Sequence, residues 1–141
     1  MSLAVTPVTP PVAPSVGEPA ECVDRFEACT LPPWAFGHRE HLLVAWTYLR
    51  AAPFENAAAR FIGNLKRFAA HHGATGKFHA TVTWALLMLL AEAIDEHPTL
   101  DFDTLLARRP ELVDTRKLLN RFYDLDALDS DRARRIPLLP R

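Results

Sequence analysis

Four of the six histidines in this sequence sit where they could act together: His38, His41, His72 and His79. The first two are three residues apart in Phe36-Gly-His-Arg-Glu-His-Leu42, the third precedes Gly73, and the fourth follows Gly76-Lys77-Phe78. A neutral imidazole offers a nitrogen lone pair that can ligate a metal or accept a proton near neutral pH. What chemistry results depends on the elements that carry them.

Those elements read as helices. Val23, Phe26 and Cys29 recur at helical spacing and predict a short helix over residues 21–28, ended by Leu31-Pro32-Pro33. A helix over 37–51 follows, with Leu42, Ala45, Trp46 and Leu49 as its apolar stripe and Pro53 as its stop. Phe54, Ala58, Phe61, Ile62, Leu65, Phe68 and Ala69 mark the next, with Gly73 as a left-handed terminator. A third long helix is expected over 77–96, apolar all round from Trp84 to Leu90. Beyond it come a short helix over 102–108, a helix opened by Pro110 and running to about Tyr123, and a last turn over 131–135 capped by Asp129 or Ser130. Residues 136–141 read as a trailing, proline-flanked tail. No segment alternates with the period of a strand, so the fold class is all-α: a single small up-down bundle of about four main helices plus short helical turns, over residues 21–141. Residues 1–20, rich in Pro, Val, Thr and Ala, are expected to form a disordered leader.

Links of a few residues make consecutive helices antiparallel neighbours. The start of the first long helix, the end of the second and the start of the third then share one end of the bundle. His38 and His41, His72, and His79 occupy those three places, whereas His71 falls off the inward face and His97 belongs to the opposite end. At a helix start the positive end of the macrodipole disfavours the protonated ring. His38, His41 and His79 are therefore candidate metal ligands that would leave one coordination position open, with His72 as a fourth ligand or a helix cap. All-nitrogen ligation suits zinc, copper, iron or nickel without choosing among them. Lys77 and the backbone donors at this end are a candidate contact for an anionic, carboxylate-bearing ligand. Trp34, Trp46, Trp84 and the phenylalanines are assigned to the core.

Composition narrows the classes. With 16 Lys and Arg against 17 Asp and Glu the net charge is -1, which gives no global field toward nucleic acid or anionic lipid. The apolar run 84–91 is far shorter than the roughly 20 residues that cross a bilayer. Cys22 and Cys29 form neither a disulfide framework nor a Cys-x-x-Cys pair and read as free thiols, and a cytoplasmic location is expected. No nucleophile elbow, dinucleotide fingerprint or His-Glu-x-x-His pattern is present, so no catalytic residue is assigned.

The segments Phe36-Gly-His38-Arg-Glu-His41-Leu42, His72-Gly73 and Gly76-Lys77-Phe78-His79-Ala-Thr81-Val-Thr83-Trp84 together resemble a family of small uncharacterised bacterial all-helical proteins. The resemblance spans most of residues 23–137 and implies no activity. Where that pattern leads one to expect an acidic residue between the last histidine and Thr81, this chain has Ala80.

Three functional readings stand open on the sequence. The first is a metal-binding protein, with a metal-dependent enzyme acting on a small molecule as its catalytic form. The second is a metal-free site that binds a small ligand or moves a proton through a tuned histidine. The third is a protein-interaction module tethered by the proline-rich leader, with homo-oligomerisation also open.

Overall fold

The computed structural model describes residues 19–140; the expected leader, apart from its last two residues, lies outside them, as does Arg141. The described chain is all-α, with eight helices and no strand: α1 (Pro19–Glu27), α2 (His38–Ala51), α3 (Phe54–His71), α4 (Ala80–Glu96), α5 (Phe102–Arg108), α6 (Thr115–Leu119), α7 (Leu125–Leu128) and α8 (Asp131–Arg135). Single 3-10 turns cover Pro33–Ala35, Thr75–Lys77 and Pro110–Val113.

Helices α2, α3 and α4 pack against one another, and α1 lies on α2 and α3. The apolar stripes meet in one core, where Phe26, Leu42, Leu43, Val44, Leu87 and Leu90 are fully enclosed. Phe26 stacks on Phe36 with ring centroids 4.7 Å apart, and Phe68 closes the group at 5.3 Å from Phe26 and 4.9 Å from Phe36. A polar seam joins α1, α2 and α3: the Tyr48 hydroxyl donates to the Glu27 carboxylate, Asn64 donates to that hydroxyl at 3.2 Å, and Arg60 pairs with Glu27 at 2.7 Å. Burial, reinforced by the bond to Glu27, pushes the Tyr48 phenol well above its ordinary range. The seam is thus held by a neutral phenol donating to a carboxylate.

The expected stop after α3 is present. Gly73 takes a left-handed backbone, φ 69°, and the Ala74 amide reaches back to the Ala69 carbonyl at 2.7 Å. Helix α1 ends the same way, but with Cys29 at φ 59° in the position glycine usually takes. Its buried thiol accepts a hydrogen bond from Arg67 at 3.4 Å.

Four sequence expectations are corrected. The third long helix starts at Ala80 rather than 77, because His79 is extended and serves as its N-cap. The helix expected from Pro110 to Tyr123 is broken at Asp114, whose carboxylate caps Lys117 at 3.2 Å and starts α6 afresh. Trp34 is not core: it stands 85% exposed on the turn after Pro32-Pro33, while Trp46 and Trp84 are half-buried. The tail after α8 does not trail off at once. The Leu138 carbonyl accepts from the Tyr123 hydroxyl at 3.1 Å, and the Leu138 amide donates to the Thr81 hydroxyl at 3.0 Å.

Thr81 is the one buried polar residue of the described core, fully enclosed. Its single hydroxyl proton is shared between the Ala133 carbonyl at 2.8 Å and the Ile136 carbonyl at 2.9 Å. Thr81→Val keeps the shape but leaves these backbone groups and the Leu138 amide without a partner, so unfolding stability should fall by about 1–3 kcal/mol. Urea denaturation measures the loss. Thr81→Ser, which keeps the hydroxyl, should recover most of it.

Candidate functional site

The end of the bundle where α2 starts, α3 ends and α4 starts borders a half-open cavity of about 470 Å³. His38, His41, His72, Lys77 and His79 all line it. The four rings are differently engaged.

His79 is spent on structure. Its Nδ1 accepts from the Val82 amide at 3.2 Å, capping α4, while Nε2 donates to the Leu128 carbonyl at 2.6 Å. Both nitrogens of a neutral ring are then occupied. His38, the first residue of α2, donates from Nε2 to the Leu112 carbonyl at 2.9 Å, with the Thr115 hydroxyl 2.6 Å from the same nitrogen and 3.2 Å from Nδ1. These two histidines anchor the segment between α5 and α8 onto the starts of α2 and α4.

His41 and His72 are disposed otherwise. The His41 Nδ1 donates to the Gly37 carbonyl at 2.8 Å, one turn back, and its ring lies 4.0 Å from Phe36 between centroids. Among the described residues its Nε2 has no hydrogen-bond partner. Burial drives the His41 pKa below the ordinary histidine value, and the bond to Gly37 only partly opposes this. The ring is thus held neutral, with a lone pair on Nε2. His72 follows the last residue of α3, edge-on to Phe68 at 4.5 Å and to His71 at 4.9 Å. Its Nε2 is the one buried side-chain nitrogen or oxygen without a partner among the described residues.

Around these groups the walls are Phe61, Leu65, Phe68, Phe78, Val82 and Leu86. Lys77 stands exposed on the rim, in no ion pair among the described residues. Glu40 is turned to its own helix start, where its carboxylate accepts from the Gly37 amide at 2.9 Å. Among the described residues no carboxylate or thiol lines the cavity, and no group of three or more His, Cys, Asp or Glu is disposed to hold a metal ion. The expected ligand set is brought to one cavity without being arranged as a coordination sphere. One lining residue carried no signal in the sequence: Thr115, which meets His38 across 77 positions.

No family model, curated protein or solved structure matches the chain. The site is accordingly read from its own chemistry. No helix among the described residues is long and apolar enough to cross a membrane.

Two predictions follow from the division of the histidines. His79→Ala removes a cap and an anchor together and should lower stability by about 1–3 kcal/mol. Amide hydrogen exchange should quicken most in residues 112–138. For His41, the unfolded chain takes up its proton near the ordinary value of 6.5, and the folded chain only at lower pH. The unfolded state binds more protons in that interval, so the contribution of His41 is full stability above pH 6.5 and a progressive loss as pH falls toward the folded value. Urea unfolding from pH 5 to 7.5 should show this loss in the native protein and a shallower one in His41→Gln. Parallel curves would assign the pH dependence to another group.

Proposed function

We propose that this protein binds a small, largely apolar molecule carrying a carboxylate or similar polar group, held in the histidine-lined cavity without a metal. The observation that carries this reading is that His72, whose buried Nε2 has no hydrogen-bond partner among the described residues, lines a mostly apolar cavity. A buried polar atom left without a hydrogen bond costs about 1–3 kcal/mol, and natural structures keep few of them outside sites that use them. A cavity of about 470 Å³ falls within the size range of small-molecule sites.

The recognition would divide among three groups. His72 lines the cavity, and a turn of its ring would bring the buried Nε2 to a ligand oxygen as a donor. The Nε2 of His41, with Nδ1 already donating to Gly37, can only accept, so it selects a ligand hydroxyl or amide, or takes a proton from an acidic one. Lys77 at the rim supplies the positive charge that favours a carboxylate. Phe61, Phe68 and Phe78 give an aliphatic or aromatic body its contact area.

The test is a thermal-shift and calorimetric screen of aliphatic and aryl monocarboxylates of six to ten carbons. A ligand at one hundred times its Kd adds about 2.7 kcal/mol of stability, a shift of several degrees. The double substitution His41→Phe, His72→Phe should abolish the shift while the protein stays folded. No shift from any member of the panel, or equal shifts in the variant, would overturn the reading. One equivalent of zinc, copper, iron or nickel retained by the native protein and lost in the variant would replace it with a metal-dependent function.

A further inference from the structure

The turn between α3 and α4 has two sides. On the inner side Phe78 and Ala69 face the histidine cavity; the same two residues also line a second cleft of about 470 Å³, whose other walls are Lys66, Thr75, Gly76, Asp131, Arg134 and Arg135. The cleft thus lies between the last turns of α3, the 3-10 turn Thr75–Lys77 and the helix α8. Its lining carries three cations against one carboxylate, in a chain whose net charge is -1.

The charges are only partly used. Arg135 pairs with Asp131 at 2.9 Å along α8. Arg134 donates to the Gly76 carbonyl, a neutral group that fixes the guanidinium in place and leaves its charge uncompensated. Lys66 rests its ammonium 4.8 Å from the centre of the Phe78 ring. Among the described residues neither Lys66 nor Arg134 is in an ion pair. Two uncompensated cations from elements far apart in sequence, one of them pinned to the opposite wall, form a concave site that a doubly charged oxyanion would neutralise. Guanidinium groups suit phosphate because their planar donors can engage two of its oxygens at once. The Thr75 hydroxyl stands at the same cleft as a further donor.

We propose that this cleft is a phosphoryl-binding site, with Lys66, Arg134 and Arg135 as its cationic contacts and Phe78 as the wall it shares with the histidine cavity. The cleft has room for more than the phosphoryl group, so both inorganic phosphate and a phosphate ester of a small molecule share the chemistry it would recognise. It does not depend on what the histidine cavity binds. Because Phe78 belongs to both, an occupant here also steadies one wall of that cavity.

Calorimetry and NMR titration with inorganic phosphate, in about 0.15 M sodium chloride to screen diffuse attraction, test this directly. The expected result is saturable binding at millimolar or tighter concentration, a shift of the Phe78 ring resonances, and a loss of about tenfold or more in Lys66→Ala, Arg135→Ala. Both side chains are exposed, so the variant should keep its melting temperature, and His41→Phe, His72→Phe should bind phosphate as the native protein does. Phenyl phosphate in place of phosphate separates the sources: tighter binding assigns the cleft to a phosphate ester, and equal binding to the free anion. Non-saturating shifts, the same response to added chloride, or unchanged affinity in the double variant would each overturn the proposal.

Discussion

A short helix cannot satisfy its own backbone. Four amides and four carbonyls at the ends of any helix lack internal partners, so in a helix of four or five residues almost every group needs help from outside. The chain after α5 is built from such pieces: α6, α7 and α8 hold five, four and five residues. Part of that help comes from local caps at Asp114, Asp124 and Ser130, and part from side chains at the starts of the long helices. His38 reaches the Leu112 carbonyl, His79 reaches Leu128, and Thr81 reaches Ala133, Ile136 and Leu138. The rest of the molecule is arranged around these long-range bonds.

This demand explains why polar side chains crowd one end of the bundle. The same helix starts that display His38 and His79 to the final third of the chain also border the cavity, so anchoring and lining are done by neighbouring atoms of the same rings. His41, one turn into α2, bonds back to Gly37 and keeps its second nitrogen for the cavity. His72, just after the end of α3, also borders the cavity, and its Nε2 has no partner among the described residues. All four histidines border the cavity, and two of them also tie the end of the chain to the helix starts.

The periodic segments were legible in the sequence because their causes are local. The apolar stripe of α3 and the left-handed stop at Gly73 depend on residues within a few positions. Which of them would be engaged was not legible, because their partners are carbonyls 49 and 74 residues away that any amino acid could supply. Trp34 misled for a related reason: an aromatic after two prolines carries no periodicity, and composition alone favours burial. The break at Asp114 did have a local signal, an acidic cap three residues before Lys117, which the apolar spacing of Leu112, Leu118 and Leu119 concealed.

The anchoring bonds also impose an order of events during synthesis. Helices α2, α3 and α4 can associate as soon as residue 96 has left the ribosome, since their contacts lie within that stretch. The Leu112, Leu128 and Leu138 backbone groups emerge only afterwards. Until they arrive, His38, His79 and the buried Thr81 hydroxyl stand without their distant partners, and water must serve them. The nascent bundle therefore holds these side chains unanchored, and the cavity gains Thr115, its one lining residue from the final third of the chain, only when that segment has been translated.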